Sequence, residues 1–257
     1  MVMLGSTDKS FYALEEKTGE LKWSFLAEGE INSSAVTDGK RVFFGAWDGF
    51  LYALNAKSGK EAWRFKAGDR ITSSPAYYKG DIYFGSWDGR FYCLNAKTGE
   101  KVWAFEVPGG PKIGSSAALE EDRVFFGVTE GDVYCLDART GEMVWTVKTD
   151  SWADSSPALS ADSVVVGSVD RLLYCLDKET GETRWTFSGQ GPIISSPLVY
   201  NDLVYVGGER GRFAAVKLSD GEMVWVFYTS GPIKSSPVVA EGKLFFGGYD
   251  SYVYAFK

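Results

Sequence analysis

A repeat of about 40 residues runs through this sequence and decides what the chain can fold into. Six tryptophans follow one another at spacings of 40 or 42 residues: Trp23, Trp63, Trp103, Trp145, Trp185 and Trp225. A Ser-Ser pair and a glycine that closes an apolar triplet recur with the same period. Because the three patterns share one phase, they mark copies of one structural unit. No change of composition interrupts them, so we predict a single domain over residues 1–257.

One copy of the unit, Ser73 to Lys112, is predicted to form four short antiparallel strands. The predicted strands are Ser73 to Tyr78, residues 82–85, Phe91 to Asn95 and Lys101 to Glu106. Alternation of apolar and polar residues with period two supports strands, and no copy has the three-and-four spacing of a helix. Four-stranded units repeated every 40 residues are typical of the blades of a β-propeller, so the predicted fold class is all-β.

The turn before each periodic tryptophan also has a structural explanation. In residues 53–59 the Asn55 side chain can accept hydrogen bonds from the following amides, and Gly59 supplies a positive φ. The repeated Asx residues of these turns are therefore interpreted as turn residues rather than catalytic groups. The six periodic tryptophans are interpreted as docking residues that pack one blade against the next.

Composition and charge exclude several classes of function. The chain has 34 acidic and 27 basic residues, a net charge of −7, and no basic cluster, so no nucleic-acid partner is expected. It contains no histidine, which excludes imidazole metal ligands and Ser-His nucleophiles. Apolar runs are far shorter than the roughly 18 residues of a membrane span, so a membrane-spanning protein is not expected.

The repeat resembles a known family. The pattern Ala/Cys-x-Asx-x-x-Thr/Ser-Gly-x-x-x-Trp, as in residues 53–63 and 93–103, is similar to the tryptophan-docking motif of PQQ-like (pyrroloquinoline quinone) propeller repeats. Ser73-Ser74-Pro75 and the stretch from Tyr83 to Gly89 resemble the other half of that repeat. The resemblance covers the whole chain and implies the propeller fold. It is shared by quinoprotein dehydrogenases, by BamB-like scaffolds and by proteins of unassigned function, so it implies no single activity.

The sequence departs from the quinoprotein dehydrogenases at the groups that carry their chemistry. The resemblance implies a disulfide between adjacent cysteines and a bound calcium or lanthanide ion in those enzymes. Here Cys93, Cys135 and Cys175 are never adjacent, and all three replace the small alanine of the third strand. We expect three buried, reduced thiols, no metal site and no cofactor. PQQ with calcium stays an alternative that is not favoured.

The number of blades follows from the incomplete copies at the two ends. The first copy supplies strands two to four and the last supplies strands one to three, which predicts 26 strands. Seven blades, with incomplete blades at the terminal seam, are preferred over six with a spare hairpin. Open strand edges at this seam predict a homodimer as one further option.

Residues that the blade does not require mark the candidate binding face. Trp47 and Trp87 occupy the turn between the second and third strands, and Trp152 lies in a connection that should share the same mouth of the propeller. Large aromatic side chains at exposed turns are typical of binding surfaces, although they could also fold back over strand ends. Ten residues are predicted for this face: Trp47, Trp87, Trp152, Tyr249, Asn32, Asp69, Arg70, Asp154, Lys234 and Arg210.

Three functions are compatible with these observations. The preferred one is a non-catalytic scaffold that binds a protein or peptide through this face, since no acid–base constellation is recognisable. An alternative is a small-ligand or quinone-binding protein, in which Asp154 acts as base or metal ligand and Lys234 or Arg70 holds carboxylates. A third is a fragment or engineered copy of a longer propeller. Strand-like sequence begins at Val2, which predicts a cytoplasmic protein, or a periplasmic one if a leader has been removed.

Overall fold

The computed structural model describes residues 1–257 and contains 26 strands and no helix. The strands form seven antiparallel sheets, each from strands consecutive in sequence. Five sheets have four strands, whereas the first and the last have three. The all-β prediction, the strand total and the preference for seven blades over six are therefore confirmed. Since the structure has no helix, none of its elements is a helical membrane span.

The seven sheets account for all 26 strands. The first is β1 (Val2–Gly5), β2 (Ser10–Leu14) and β3 (Leu21–Leu26). The second is β4 (Val36–Thr37), β5 (Arg41–Gly45), β6 (Phe50–Asn55) and β7 (Glu61–Lys66). The third is β8 (Ala76–Tyr78), β9 (Asp81–Gly85), β10 (Arg90–Asn95) and β11 (Lys101–Glu106). The fourth is β12 (Ala118–Glu120), β13 (Arg123–Gly127), β14 (Asp132–Asp137) and β15 (Met143–Lys148).

The remaining three sheets repeat the same order. The fifth is β16 (Ala158–Leu159), β17 (Ser163–Gly167), β18 (Leu172–Asp177) and β19 (Thr183–Ser188). The sixth is β20 (Leu198–Tyr200), β21 (Leu203–Gly207), β22 (Arg212–Lys217) and β23 (Met223–Tyr228). The seventh is β24 (Val238–Ala240), β25 (Lys243–Gly247) and β26 (Val253–Phe256).

The chain divides into two compact units, and each has its own apolar cores. The first unit is Met1–Leu119 with Ala138–Glu142, and the second is Glu120–Asp137 with Met143–Lys257. In both units the cores are built mainly from the second and third strands of the four-stranded sheets, whose residues are mostly buried. The single domain over residues 1–257 stays a prediction.

The turns form as their residues predict. Lys79 and Gly80, with φ of 49° and 97°, make the two-residue hairpin turn between β8 and β9. Asn55 Oδ1 accepts hydrogen bonds from the amides of Lys57 and Ser58 at 3.1 and 3.0 Å. Gly59 follows with a φ of 68°. At Gly59 the turn therefore exposes backbone atoms without a side chain, and the ring of Trp23 in the preceding sheet packs on them.

The first strand of the unit at residues 73–112 is shorter than predicted. β8 begins at Ala76, not at Ser73. Ser73 Oγ instead donates to the Gly85 carbonyl and accepts from the Gly85 amide, at 2.8 and 3.0 Å. The Ser74 amide donates to Ser116 Oγ at 2.9 Å, and Pro75 has no amide hydrogen to offer to a ladder. The Ser-Ser pair thus lies outside the sheet: the Ser73 side chain binds the backbone of Gly85, and the Ser74 amide binds the side chain of Ser116.

The periodic glycine at the end of each second strand allows close packing. A Cβ built on Gly85 would lie 2.3 Å from Ile113 Cγ2, which no side chain could accommodate. The same contact is made by four other glycine–isoleucine pairs: Gly5–Ile31, Gly45–Ile71, Gly167–Ile193 and Gly207–Ile233. The glycine therefore lets the connection to the next sheet pass directly over the strand end.

Five of the six periodic tryptophans contact the turn of the following unit in one manner. The Trp145 indole Nε1 donates to the Lys178 carbonyl at 3.0 Å, and its ring covers Gly181, where a Cβ would be 2.8 Å away. The other four donate to the corresponding carbonyls at 2.8 to 3.3 Å: Trp23 to Ala56, Trp63 to Ala96, Trp103 to Ala138 and Trp185 to Leu218. We call this arrangement the indole seat.

Trp225 is the exception, because its indole nitrogen has no hydrogen-bond acceptor. In the other copies the acceptor lies 33 or 35 residues after the tryptophan and the glycine three residues further on. For Trp225 the corresponding positions fall beyond Lys257. The ring instead contacts Phe256, with ring centroids 5.0 Å apart.

The sheets at the two ends have one strand fewer, and their terminal strands are exposed. β1 pairs only with β2, and β26 pairs only with β25. Val2 and Leu4 of β1 and Val253 of β26 are exposed, whereas the corresponding positions in complete sheets are buried. Open edges of this kind are what the homodimer option requires, and that option stays a prediction.

The three cysteines are free and fully buried. Desolvation is the largest cause of their altered acidity: it raises the pKa of Cys93 and of Cys135 to about 12, and it raises the pKa of Cys175 as well. A thiol that is buried and protonated is a poor nucleophile. The expected burial of the three cysteines is therefore confirmed, and their reduced state stays a prediction.

The indole seat predicts that replacing tryptophan with phenylalanine lowers the free energy of unfolding more at Trp145 than at Trp225. Trp145→Phe removes a buried hydrogen bond, whereas Trp225→Phe removes the same atoms without losing one. We expect Trp145→Phe to lower the free energy of unfolding by about 1–2 kcal/mol more than Trp225→Phe. Denaturant unfolding followed by circular dichroism measures the difference. Equal losses at the two sites would show that the hydrogen bond contributes nothing to stability.

The buried thiols predict a difference in labelling between the folded and unfolded protein. At pH 8 the native chain should react with dithiobis(nitrobenzoic acid) at less than about one-hundredth of the rate of the unfolded chain, because burial and the raised pKa both suppress thiolate attack. In guanidinium chloride all three cysteines should react. Rapid labelling of the native protein would contradict the burial of these residues.

Candidate functional site

The predicted binding-face residues fall into both compact units. In five sheets the turn between the second and third strands of the repeat is hydrogen-bonded to the connection that precedes the sheet, so this turn and this connection lie side by side. Trp47 N–H donates to the Glu30 carbonyl and Trp87 N–H to the Arg70 carbonyl, both at 2.9 Å. The members in the first unit are Asn32, Trp47, Asp69, Arg70 and Trp87, and those in the second are Trp152, Asp154, Arg210, Lys234 and Tyr249.

The first unit brings three of its predicted residues into contact. The Trp47 and Trp87 rings lie 6.4 Å apart between centroids, at an interplanar angle of 39°. The Arg70 guanidinium lies 4.5 Å from the Trp47 ring and 5.3 Å from the Trp87 ring. Lys112 Nζ lies 4.4 Å from the Trp87 ring. We call Trp47, Arg70, Trp87 and Lys112 the tryptophan–cation row.

The two cations of this row are held by aromatic rings and not by carboxylates. Neither the Arg70 guanidinium nor the Lys112 ammonium takes part in a salt bridge or donates a side-chain hydrogen bond. Asp69, next to Arg70 in sequence, is exposed and accepts from the Arg70 amide through Oδ1 at 2.7 Å. Both cationic groups thus retain donors for an external acceptor, while the rings hold them in place.

The two indole nitrogens of the row differ in their hydrogen bonding. Trp87 Nε1 donates to Thr72 Oγ1 at 2.9 Å, whereas Trp47 Nε1 is buried and has no hydrogen-bond partner. The residue that corresponds to Thr72 in the preceding copy is Asn32, which is exposed. A buried donor without an acceptor costs on the order of 1–3 kcal/mol. The unpaired indole nitrogen of Trp47 therefore lowers the stability of the folded chain.

In the second unit, Lys234 and Tyr249 form a smaller group with Glu209. Lys234 Nζ lies 3.0 Å from Glu209 Oε1 and 5.5 Å from the centre of the Tyr249 ring. The hydrogen bond with Glu209 raises the pKa of Lys234. Tyr249 is 70% exposed. Unlike the cations of the tryptophan–cation row, Lys234 already has a carboxylate partner.

The other predicted residues of the second unit are exposed and make few side-chain contacts. Trp152 is 56% exposed, and its carbonyl accepts from the Val169 amide at 2.9 Å. Asp154 is exposed, yet protein atoms crowded around its carboxyl desolvate it and raise its pKa. Arg210 is exposed, and its aliphatic chain lies over Gly191. These three do not form a shared acid–base arrangement.

The side chains bring together no group of three or more carboxylates and thiols that could hold a metal ion. The Asx residues of the turns are occupied by backbone amides, as with Asn55. The serine pairs are engaged with glycine backbone atoms, as with Ser73. The fixed cations and indole rings of the tryptophan–cation row are suited to the recognition of anionic and apolar groups.

Sequence reasoning did not single out one recurring polar contact. Asp88 Oδ2 accepts from the Tyr92 hydroxyl at 2.6 Å and from the Gly68 amide at 2.7 Å, which ties the turn to the preceding connection. Asp48, Asp170 and Asp250 make the corresponding contacts with Tyr52, Tyr174 and Tyr254. The signal was present as an aspartate four residues before a tyrosine in each of these copies. These pairs fix the turns that carry Trp47 and Trp87.

Comparisons with known proteins identify the family. Residues 1–203 match the family described as "Beta-alanine-activating enzyme, beta-propeller". The chain belongs to this β-propeller family. No curated protein matches its sequence.

Two solved structures are similar to this propeller. BamB from Moraxella catarrhalis matches with a TM-score of 0.87 and 20% sequence identity, over 98% of this chain and 78% of that one. The computationally designed protein Ika8 matches with a TM-score of 0.64 and 15% identity, over 99% of this chain and 92% of that one. At these identities the likeness concerns the fold, and it confirms the predicted BamB-like β-propeller.

The unequal indole nitrogens predict a stabilising substitution. Asn32→Thr should place a hydroxyl near Trp47 Nε1, as Thr72 does for Trp87, and raise the free energy of unfolding by about 1 kcal/mol. The reciprocal change Thr72→Asn should lower it by a similar amount. Thermal and denaturant unfolding of both variants measure the effect. If both substitutions leave stability unchanged, the hydroxyl does not provide the hydrogen bond that we assign to it.

Proposed function

We propose that this propeller is a non-catalytic module that binds an acidic segment of a protein partner through the tryptophan–cation row. The observation that carries the proposal is the placement of Arg70 and Lys112 on tryptophan faces without a carboxylate partner. Tryptophan and arginine are the residues that most often dominate binding energy at protein interfaces. Carboxylates of a partner would complete the hydrogen bonding of both cations.

The rigidity of the row supports this proposal. Trp47 and Trp87 are only partly exposed, and both backbone amides are hydrogen-bonded to the neighbouring connection. Since the rings and the Arg70 side chain hold one another, little conformational entropy remains to be lost on binding. The unpartnered Trp47 indole nitrogen adds a local cost that the scaffold itself does not require. Such costs are a common feature of functional surfaces.

The proposed module has no catalytic activity of its own. The chain has no histidine, and its three thiols are buried with raised pKa values. The description of the matching family names an enzyme and, within it, the β-propeller part. The match is therefore to the propeller and does not by itself assign the enzyme's activity to this chain. We place the proposed module in a reducing compartment such as the cytoplasm, because reduced thiols persist there.

The proposal includes no cofactor. The quinone alternative needs Asp154 as base or metal ligand and Lys234 or Arg70 as an anchor for carboxylates. Of these two anchors, Lys234 is already paired with Glu209. Calorimetric titration with pyrroloquinoline quinone and calcium separates the two functions. Micromolar binding at one site per chain, lost in Asp154→Asn, would overturn our proposal in favour of the quinone.

Selection from a phage-displayed library of random 12-residue peptides tests the proposed surface. We expect enriched peptides to contain several Asp or Glu residues, and to bind the double variant Arg70→Glu/Lys112→Glu at least tenfold more weakly than the unmodified chain. The reason is that both carboxylate-binding cations are removed. Affinities are measured by fluorescence anisotropy of labelled peptides.

The double variant Lys57→Glu/Lys60→Glu provides the matched control. It changes the net charge by the same amount, within the same compact unit, at the turn on the opposite end of β6. Its affinity for the selected peptides should stay within about twofold of the unmodified chain. Equal losses in the two double variants would mean that net charge alone attracts the peptides, and a selection without acidic enrichment would contradict the proposal.

A further inference from the structure

The sixth sheet lacks the aspartate–tyrosine contact that five other sheets share. In those sheets a tyrosine hydroxyl on the third strand donates to the aspartate four residues earlier, at 2.6 to 2.8 Å: Tyr12 to Asp8, Tyr52 to Asp48, Tyr92 to Asp88, Tyr174 to Asp170 and Tyr254 to Asp250. The corresponding residues of the sixth sheet are Arg210 and Ala214. Both the carboxylate and the phenol are therefore missing from this sheet.

The Arg212 side chain takes the place of the missing tyrosine ring. In other sheets that ring packs on a phenylalanine of the preceding sheet, with centroids 5.2 to 5.4 Å apart: Phe25–Tyr52, Phe65–Tyr92 and Phe227–Tyr254. The Arg212 guanidinium lies 5.0 Å from the centre of the Phe187 ring, and Phe187 is the counterpart of these phenylalanines in the fifth sheet. A cation thus lies where the other sheets have a phenol bound to a carboxylate.

The buried Arg212 side chain has no anionic partner. It is 7% exposed, and no salt bridge reaches its guanidinium. Nη1 donates to the Ser188 carbonyl at 2.7 Å and Nη2 to Met223 Sδ at 2.9 Å, which are neutral acceptors, and Nε has no hydrogen-bond partner. Arginine stays charged in proteins, and a buried charge without a counter-ion destabilises the folded chain. An anion at this position would supply both the missing charge and the missing acceptor.

The missing groups leave a small cavity beside Arg212. Its volume is about 10 Å³, which is room for one water-sized group. Its walls include Phe187, Ala214 and Arg212. An oxygen of a carboxylate is of this size, so the cavity admits the end of a carboxylate and leaves the rest of the molecule outside.

A backbone amide at the same place has also lost its carboxylate acceptor. In the fifth sheet the Asp150 amide, from the preceding connection, donates to Asp170 Oδ2 at 3.1 Å. The corresponding amide for the sixth sheet belongs to Gln190, and it has only a long contact of 3.4 Å with Ser188 Oγ. Ser188 and Gln190 are exposed, so a ligand can approach from solvent.

The other sheets show that the group missing from the sixth is a carboxylate. We infer that the sixth sheet holds a binding site for a small carboxylate anion, one oxygen of which enters the cavity and accepts a hydrogen bond from Arg212 Nε. Hydrogen bonds between a guanidinium and a carboxylate are among the strongest in proteins. The residues of this site belong to the second compact unit and those of the tryptophan–cation row to the first, so the inference does not depend on the proposed function.

The Arg212 Nε–H signal in ¹H–¹⁵N NMR spectra reports whether the site is occupied. The unmodified chain is titrated with sodium acetate and, in parallel, with sodium chloride in the same buffer. We expect acetate to shift this signal saturably with a Kd below about 10 mM, and chloride to bind about tenfold more weakly or less. No saturable shift with acetate up to about 100 mM overturns the inference. Chloride binding as tight as that of acetate would overturn the assignment to a carboxylate.

The variant Arg210→Asp places an internal carboxylate where five other sheets have one. We expect the Arg212 Nε–H signal to shift without any ligand, and the affinity for acetate to fall by about tenfold or more, because the site is already filled. Lys243→Asp is the matched control, since it makes the same change of charge at an exposed residue of the same compact unit. Its affinity for acetate should stay within about twofold of the unmodified chain. Unchanged affinity in Arg210→Asp, or equal losses in the two variants, would contradict the inference.

A carboxylate carried by another polypeptide is the competing occupant. The blocked tripeptide acetyl-Gly-Asp-Gly-amide presents the same group on a peptide backbone and is titrated in the same way. We expect it to bind no more tightly than acetate, because only the carboxylate enters the cavity. Binding about tenfold tighter than that of acetate would assign the site to an acidic segment of a polypeptide, and it would overturn our assignment to a small molecule.

Discussion

The seating of an indole ring on the turn of the next unit is the interaction on which the rest of the structure depends. It requires a tryptophan on the fourth strand, a free carbonyl in the following turn and a glycine beneath the ring, as in Trp145, Lys178 and Gly181. Each requirement appears in the sequence with the same period. Because the ring packs on backbone and not on side chains, surface residues of the turn can vary without disturbing the contact.

Most of the fold could be predicted because its signals are local and repeated. The hairpin at Lys79-Gly80, the cap at Asn55 and the alternation along β10 follow from backbone chemistry within a few residues. The strand at Ser73 was predicted too long because Ser73 and Ser74 bind Gly85 and Ser116, which lie 12 and 42 residues further along the chain. A pattern read along one strand does not include such partners.

The sequence predicted which residues belong to the candidate site but not which side chains contact one another. Subtracting the residues that every copy needs singled out Trp47, Trp87 and Arg70, which the structure brings together. The repeat does not determine which cation covers which ring, or that Lys234 is paired with Glu209. Those choices depend on side-chain rotamers at neighbouring turns. The aspartate–tyrosine contacts, in contrast, had a periodic signal that could have been used.

The indole seat has a consequence for how the chain can change in length. Each seat joins a sheet only to the sheet that follows it, so stability resembles a sum of single-sheet terms and nearest-neighbour coupling terms. An insertion of two residues between Trp103 and Ala138, relative to the other copies, leaves the hydrogen bond at 3.1 Å. Duplication or deletion of a whole 40-residue copy would regenerate the same interface at the new junction. An array of this kind can therefore evolve by the gain or loss of whole repeat units, with little change in the packing between them.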